Sequence, residues 1–358
     1  MDLIIKPTER CNFKCTFCSS THITDDKSLE LDLEYIYTFL KRFPKTSTII
    51  VNGGDPLMMD PNYYWQIIKY LDDNNLSTSI SFTSNLWPFY KNPEKWIDLF
   101  KHPRMGITTS FQYGGGRLKG DLTEFSEEDF WNVSNMMLEK VGYRPGFISV
   151  ITEENEHLAI KNVELAKKMD VECKLNYAMS SGPPVKFRNI IMGQEGRPYV
   201  LSKIYKIYVE IWKLGLTEWE YNTKQMVVRL KGLGTTCPQN RECDGGIRTL
   251  QPSGDYYSCG SFGDDRDYPI NFKDEMNGEK IYPLRFQPEL QTLKESCYSC
   301  PMFSICNGCR KTIKDLKTHN LVEDHCYRMK QLAPDIIESN GLTGELIPTS
   351  YVKEYNYD

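Results

Sequence analysis

"CNFKCTFC", residues 11–18, sets three cysteines at C-x3-C-x2-C spacing, just behind the apolar run "LIIK" at 3–6. A structural zinc site is almost always closed by four ligands, so three thiolates leave it incomplete. A cubic four-iron cluster on three thiolates keeps one iron open to a ligand from outside the protein. If "LIIK" is a β-strand, the cysteines fall in the loop at its carboxyl end, which is where parallel α/β folds carry their chemistry.

Working outward, five more β-branched runs follow: "TSTIIVN" (46–52), "STSISFTSN" (77–85), "MGITTSFQ" (105–112), "GFISVIT" (146–152) and "VECKLNY" (171–177). They are rich in Ile, Val, Thr and Phe, the residues that favour strands. Helical periodicity lies between them. Leu33, Ile36 and Leu40 share one face, as do Phe130, Val133 and Met137, with Ser126 as the expected N-cap of the latter helix. Strand and helix alternating six times predict an α/β fold of parallel strands, either an open doubly wound sheet or a partial barrel. A last helix is expected at 201–215, after which composition changes to a cysteine-dense, turn-rich stretch. The expected domains are 1–215, a linker at 216–236, a small metal-stapled domain at 237–335 and a tail at 336–358.

The 43 basic and 48 acidic side chains give a net charge of −5 without long runs of one sign, which argues against a nucleic-acid partner. No apolar stretch approaches ~18 residues, and "MDLIIKPTER" is too short in apolar content for a signal peptide. These features predict a cytoplasmic protein with no membrane partner. Twelve cysteines in a reducing compartment point to metal or redox chemistry rather than disulfides.

The motif at Cys11, Cys15 and Cys18 closely resembles that of the radical S-adenosylmethionine (radical SAM) enzymes. The resemblance implies a partial (β/α)6 TIM-type barrel whose three cysteines hold a 4Fe-4S cluster. In that family the open iron chelates S-adenosyl-L-methionine, which is cleaved to a 5′-deoxyadenosyl radical that abstracts a substrate hydrogen. "NGGDP" stands where the family has its Gly-Gly-Glu stretch. Gly53 and Gly54 are therefore expected to allow close backbone approach to the methionine ammonium and Asp55 to partner it, although Asp reaches one methylene less far than Glu. The same resemblance directs Phe17, Ser84, Asn85, Ser110, Gln112, Thr152, Asn176 and Tyr177 toward the cofactor, Phe17, Asn176 and Tyr177 near its adenine. Each of these has an ordinary alternative as a satisfied strand end or a core ring.

Cys243, Gly254, Cys259, "CYSCPMFSICNGC" (297–309) and Cys326 resemble the seven-cysteine SPASM extension of peptide- and protein-modifying members, except that Cys306 and Cys309 are two residues apart where three is usual. The implied architecture is the barrel followed by a small cysteine-rich, loop-rich iron-sulfur domain. With Cys237 added, the analogy assigns Cys237, Cys243, Cys259 and Cys309 to one auxiliary 4Fe-4S cluster. Cys297, Cys300, Cys306 and Cys326 are assigned to a second, making three clusters in all. A zinc-ribbon reading of "CYSC" and "CNGC" is the alternative. Cys173, inside the sixth strand, is expected to be a buried apolar residue.

The resemblance implies radical modification of a ribosomally made peptide or protein side chain by crosslinking, thioether formation, epimerisation or oxidation. It also implies an electron donor such as flavodoxin or ferredoxin. Because the chain begins at its first strand, a separate leader-peptide-binding protein is a candidate partner. Oxidation or rearrangement of a small molecule is the competing enzyme reading, and a non-catalytic electron carrier the competing class. Sulfatase-maturing relatives typically carry an acidic residue after the cysteine of "YYSCGSFGDD"; here position 260 is Gly, and Asp264 and Asp265 lie further along. Tyr113, Arg117, Lys119 and Lys174 are candidates for the mouth of the site.

Overall fold

In the computed structural model, described residues are 1–20, 23–178, 201–230, 243–283, 287–297, 299–306 and 309–341. All six expected strands form: β1 Asp2–Ile5, β2 Thr48–Val51, β3 Ser79–Thr83, β4 Met105–Ser110, β5 Phe147–Ile151 and β6 Cys173–Tyr177. Two more, β7 Ile247–Leu250 and β8 Tyr256–Tyr257, lie in the stretch expected to be turn-rich. The chain divides into two compact units that do not follow chain order. Residues 245–281 fold with Met1–Ser149, and the boundary cuts through β5.

The first unit is a parallel α/β sheet ordered β5-β4-β3-β2-β1-β7, with β8 antiparallel on β7. Alternation along the strands places Ile5, Val51, Phe82 and Ile107 in register across β1 to β4, and all four are buried. Such a row is what period-two patterning produces when one face is covered. The helix Leu33–Arg42 buries Ile36, Phe39 and Leu40 and is capped by Asp32, whose carboxylate accepts from the Glu34 N–H. The helix Glu127–Val141 begins at Ser126 in a reciprocal capping box with Asp129, as its sequence predicts.

β7 explains why the units interleave: its four residues are all buried and pair in parallel with β1, Ile5 facing Leu250. Its Arg248 is buried against Glu275, which also accepts from the Tyr256 hydroxyl at 2.6 Å. A fully hydrogen-bonded ion pair of this kind avoids the penalty of an unpaired buried charge.

The second unit holds the end of β5, then β6 and most of the remaining helices. The Ala178 N–H donates to the Ile151 carbonyl at 2.8 Å. The stretch expected as a linker is helical at Tyr221–Leu230. Glu220, ahead of that helix, is buried and accepts from the N–H groups of Leu175 and Thr223 at 2.9 and 2.6 Å. Burial nevertheless pushes its carboxyl up to about 7. Cys173 is fully buried, as its place in an apolar strand predicts. Among the described residues no helix is long and apolar enough to cross a membrane.

Candidate functional site

The cysteine loop after β1 is held by backbone on two sides. Toward β2, the Gly54 N–H donates to the Thr8 carbonyl at 2.9 Å and the Asp55 N–H to Arg10 at 2.8 Å. Toward the segment after β4, Lys14 and Thr16 donate to the carbonyls of Leu118 and Gly116, both at 2.8 Å.

This zippering accounts for the glycines. A Cβ on Gly54 would lie 2.1 Å from the Arg10 carbonyl oxygen, and Gly53 has φ of +117°. Both are needed so that β2's exit can press against the Cys11 loop, a different close approach from the one toward a ligand that the sequence suggested. The glycines ahead of Arg117, residues 114–116, carry no role in the sequence analysis. Gly116, at φ +78°, admits no Cβ without a 2.8 Å contact to Thr16 Oγ1. Three consecutive glycines were the available signal.

Asp55 gathers the next residues. Its buried carboxylate accepts from the N–H groups of Leu57 and Asn85, both at 2.9 Å, and from Ser84 Oγ at 2.9 and 3.0 Å. Burial pushes its pKa up to about 6, against the pull of those donors. Asn85 in turn donates from Nδ2 to Asn12 Oδ1 at 2.9 Å and approaches Cys11 Sγ at 4.0 Å. Gly53, Gly54, Asp55, Ser84 and Asn85 thus form one connected cluster with the first cysteine.

A second cluster is organised by Arg117. Its guanidinium donates to Ser110 Oγ at 2.8 Å and to Gln112 Oε1 at 3.1 and 2.6 Å, and its Cζ lies 5.2 Å from the Phe17 ring centre. Arg117, expected at the mouth, is instead 6 % exposed, with neutral hydrogen-bond partners. Burial lowers its pKa while Cys15, Cys18 and Cys11 raise it, so the cation lies within electrostatic reach of the cysteines. Burial also raises all three thiols, Cys18 to about 11. Thiols in such a place ionise readily only when a cation is bound to them. A buried guanidinium beside three such thiols fits an anionic iron-sulfur group held on three thiolates.

Of the other mouth candidates, Lys119 pairs with Asp129 at 2.8 Å, Lys174 lies over the Tyr221 ring at 4.9 Å and Tyr113 packs edge-on against Phe111 at 5.1 Å.

In the second unit, Cys297, Cys300, Cys306, Cys309 and Cys326 line one cavity. A π-helical turn at Leu293–Cys297 leads into it, a feature frequent at functional sites. Burial and the neighbouring Cys306, Cys326 and Cys300 push the Cys297 thiol up to about 12. His325, in the same wall, is lowered to about 4 by burial and is neutral at pH 7. The four cysteines assigned together are therefore assembled, with Cys309 among them. Cys259 is in the first unit; Cys237 and the Cys243 side chain lie outside the described residues.

Tyr177 donates to or accepts from Thr312 Oγ1 at 2.7 Å, and Thr312 lines the same cavity. Thr152 is buried with its N–H on Asn155 Oδ1 at 2.8 Å, and Asn176 is half-buried in β6. Among the described residues no group of three or more His, Cys, Asp or Glu closes around a single metal ion. A four-iron cluster asks for a wider set, since each thiolate binds a different iron.

A parallel α/β sheet with a three-cysteine loop at the end of β1 defines a class, and the family is named by direct comparison. Residues 5–182 match the model of the Radical SAM superfamily, whose members use S-adenosylmethionine and a 4Fe-4S cluster, so this part of the chain is a radical SAM domain. No curated protein matches the chain. Among solved structures, native anSMEcpe with bound AdoMet aligns at TM-score 0.69 and 16% identity, over 95% of this chain and 99% of that one. The same protein with AdoMet and the Cp18Cys peptide aligns at TM-score 0.69 and 17% identity, over 95% and 98%. Streptococcus suis SuiB bound to its precursor peptide SuiA aligns at TM-score 0.51 and 13% identity, over 87% of this chain and 70% of that one. At these identities the likeness is one of fold.

Proposed function

We propose that the protein is a cytoplasmic radical SAM enzyme of the SPASM type that modifies a side chain of a ribosomally made peptide or protein. In this reading β1 to β6 form a partial (β/α)6 barrel and the cysteine-rich region is an auxiliary-cluster domain. Cys11, Cys15 and Cys18 hold the cluster that passes an electron to S-adenosylmethionine, generating the 5′-deoxyadenosyl radical that removes a substrate hydrogen. Gly53, Gly54, Asp55, Ser84, Asn85, Ser110, Gln112 and Thr152 shape the cofactor's place, with Phe17, Asn176 and Tyr177 toward its adenine. Cys297, Cys300, Cys306 and Cys326 hold one auxiliary cluster. Cys237, Cys243, Cys259 and Cys309 hold the other.

The observation that carries the reading is the gathering of five further cysteines into one cavity of a chain whose amino-terminal loop already supplies three. A peptide substrate is supported by the peptides bound to anSMEcpe and SuiB. Flavodoxin or ferredoxin is the proposed electron donor, and a separate protein the proposed binder of a leader peptide.

The test is anaerobic reconstitution followed by iron analysis. Three clusters give about twelve irons per chain, and dithionite with S-adenosylmethionine should release 5′-deoxyadenosine. Two zinc ions and no iron would overturn the proposal.

A further inference from the structure

Lys6 ends the apolar run "LIIK", and the structure buries it to 2 % exposure in an ion pair with Asp264, itself 9 % exposed. A buried ion pair is a weak device for stability, since apolar replacements are often neutral or better. Its contacts suggest another role. Asp264 accepts from Ser19 Oγ at 2.9 Å and Ser20 Oγ at 3.4 Å, the two residues directly after Cys18. Lys6 Nζ also donates to the Gly260 carbonyl at 3.4 Å, the residue directly after Cys259. One pair of charges therefore ties down the exits of two cysteine-bearing loops that are more than two hundred residues apart in sequence.

The pair is also well fixed. β1 carries Lys6 beside β7, its N–H donating to the Leu250 carbonyl at 2.9 Å, and a Cβ on Gly53 would lie 3.0 Å from Lys6 Cβ. Asp264 belongs to the short helix Gly260–Asp265 that starts directly after Cys259.

We infer that Lys6 and Asp264 are positioning residues that bridge the loop after Cys18 to the loop after Cys259, and whose fixed charges set how readily the cluster on Cys11, Cys15 and Cys18 takes up an electron. The inference rests on the cluster assignment proposed above. Reduction adds one negative charge to the cluster. A neighbouring carboxylate disfavours that change and a neighbouring ammonium favours it, and in a water-poor site neither is well screened.

The sign of the response is the test, because loss of structure alone has no reason to act in opposite directions. Asp264→Asn should raise the midpoint potential of the EPR signal that responds to added S-adenosylmethionine, and Lys6→Gln should lower it. In each case the reduced-to-oxidised ratio at fixed potential changes roughly tenfold, about 59 mV for a one-electron couple. The double variant K6M/D264L should return the potential close to wild type but blunt the spectral change caused by S-adenosylmethionine, since the loop after Cys18 has lost its anchor. If the single variants do not fold, the double variant decides, and a signal identical to wild type overturns the bridge. Equal or same-direction shifts in folded single variants also overturn it. Wild-type protein with no such signal overturns the proposed function itself.

Discussion

The loop carrying Cys11, Cys15 and Cys18 and the cavity lined by Cys297, Cys300, Cys306, Cys309 and Cys326 offer the same ligand atoms in opposite surroundings. Polar and charged side chains stand around the loop: Asp55 and Asn85 toward Cys11, Arg117 toward all three thiols, the Lys6–Asp264 pair beyond Cys18. The cavity wall, apart from its cysteines, is mainly Met302, Ile313, Leu316, Val322 and Met329, with a neutral His325. Polar surroundings suit a position that a charged small molecule must enter and leave. An apolar wall suits a group that stays, because it keeps water from the thiolates and adds burial to the folding of a segment with few strands of its own.

The sharpest way to break this contrast is to remove thiolates from each region in turn. Replacing Cys11, Cys15 and Cys18 together by Ala should abolish 5′-deoxyadenosine release altogether and lower the iron content by about four. Residual release at the wild-type rate would mean that the loop is not the site of cleavage. Cys297→Ala and Cys326→Ala should likewise lose about four irons. With dithionite supplying electrons, they should still release 5′-deoxyadenosine while failing to form substrate product. Circular dichroism has to precede the assay, because metal binding also contributes to folding. A folded variant of this second kind that forms product at full rate would make the cavity's cluster a structural staple.

How much of this contrast the sequence reveals depends on how local each feature is. The six strands and the Ser126 cap are legible because β-branched runs and capping residues act within a few positions. The cysteine loop is legible because thiolate spacing is itself a geometric constraint. The clusters around Asp55 and Arg117 were foreseen as residues but not as connections. Nothing in "NGGDP" says that the glycines serve a backbone zipper to Arg10, or that Arg117 is drawn inward by Gln112 and Ser110. The Lys6–Asp264 pair was invisible: a lysine ending a strand normally reads as solvated, and its partner is separated from it by 258 residues. β7 was hidden for a similar reason. Only its pairing with β1 shows that "IRTL" is a buried parallel strand, and four residues carry too little period to announce one.

The smallest effect sharpens the boundary between the two surroundings, and Tyr177 is the residue that tests it. Sequence resemblance directs its ring toward the cofactor's adenine, whereas its hydroxyl is engaged 2.7 Å from Thr312 Oγ1, at the cysteine cavity of its own unit. Tyr177 is half-buried, and its phenol is raised well above the ordinary value, chiefly by burial and then by Cys309, so it remains a neutral hydrogen-bonding group. Tyr177→Phe keeps the ring and removes one part-buried hydrogen bond, leaving the Thr312 hydroxyl without that partner, a change that typically costs about 1 kcal/mol. The expected outcome is a modest fall in unfolding midpoint, with S-adenosylmethionine affinity unchanged in equilibrium dialysis of the reconstituted enzyme. If affinity instead falls tenfold while stability holds, the hydroxyl serves the cofactor directly. Tyr177→Leu, which removes the ring as well, then separates adenine stacking from the hydroxyl's bond: a ring that packs on the cofactor costs affinity in this variant even where Tyr177→Phe costs none.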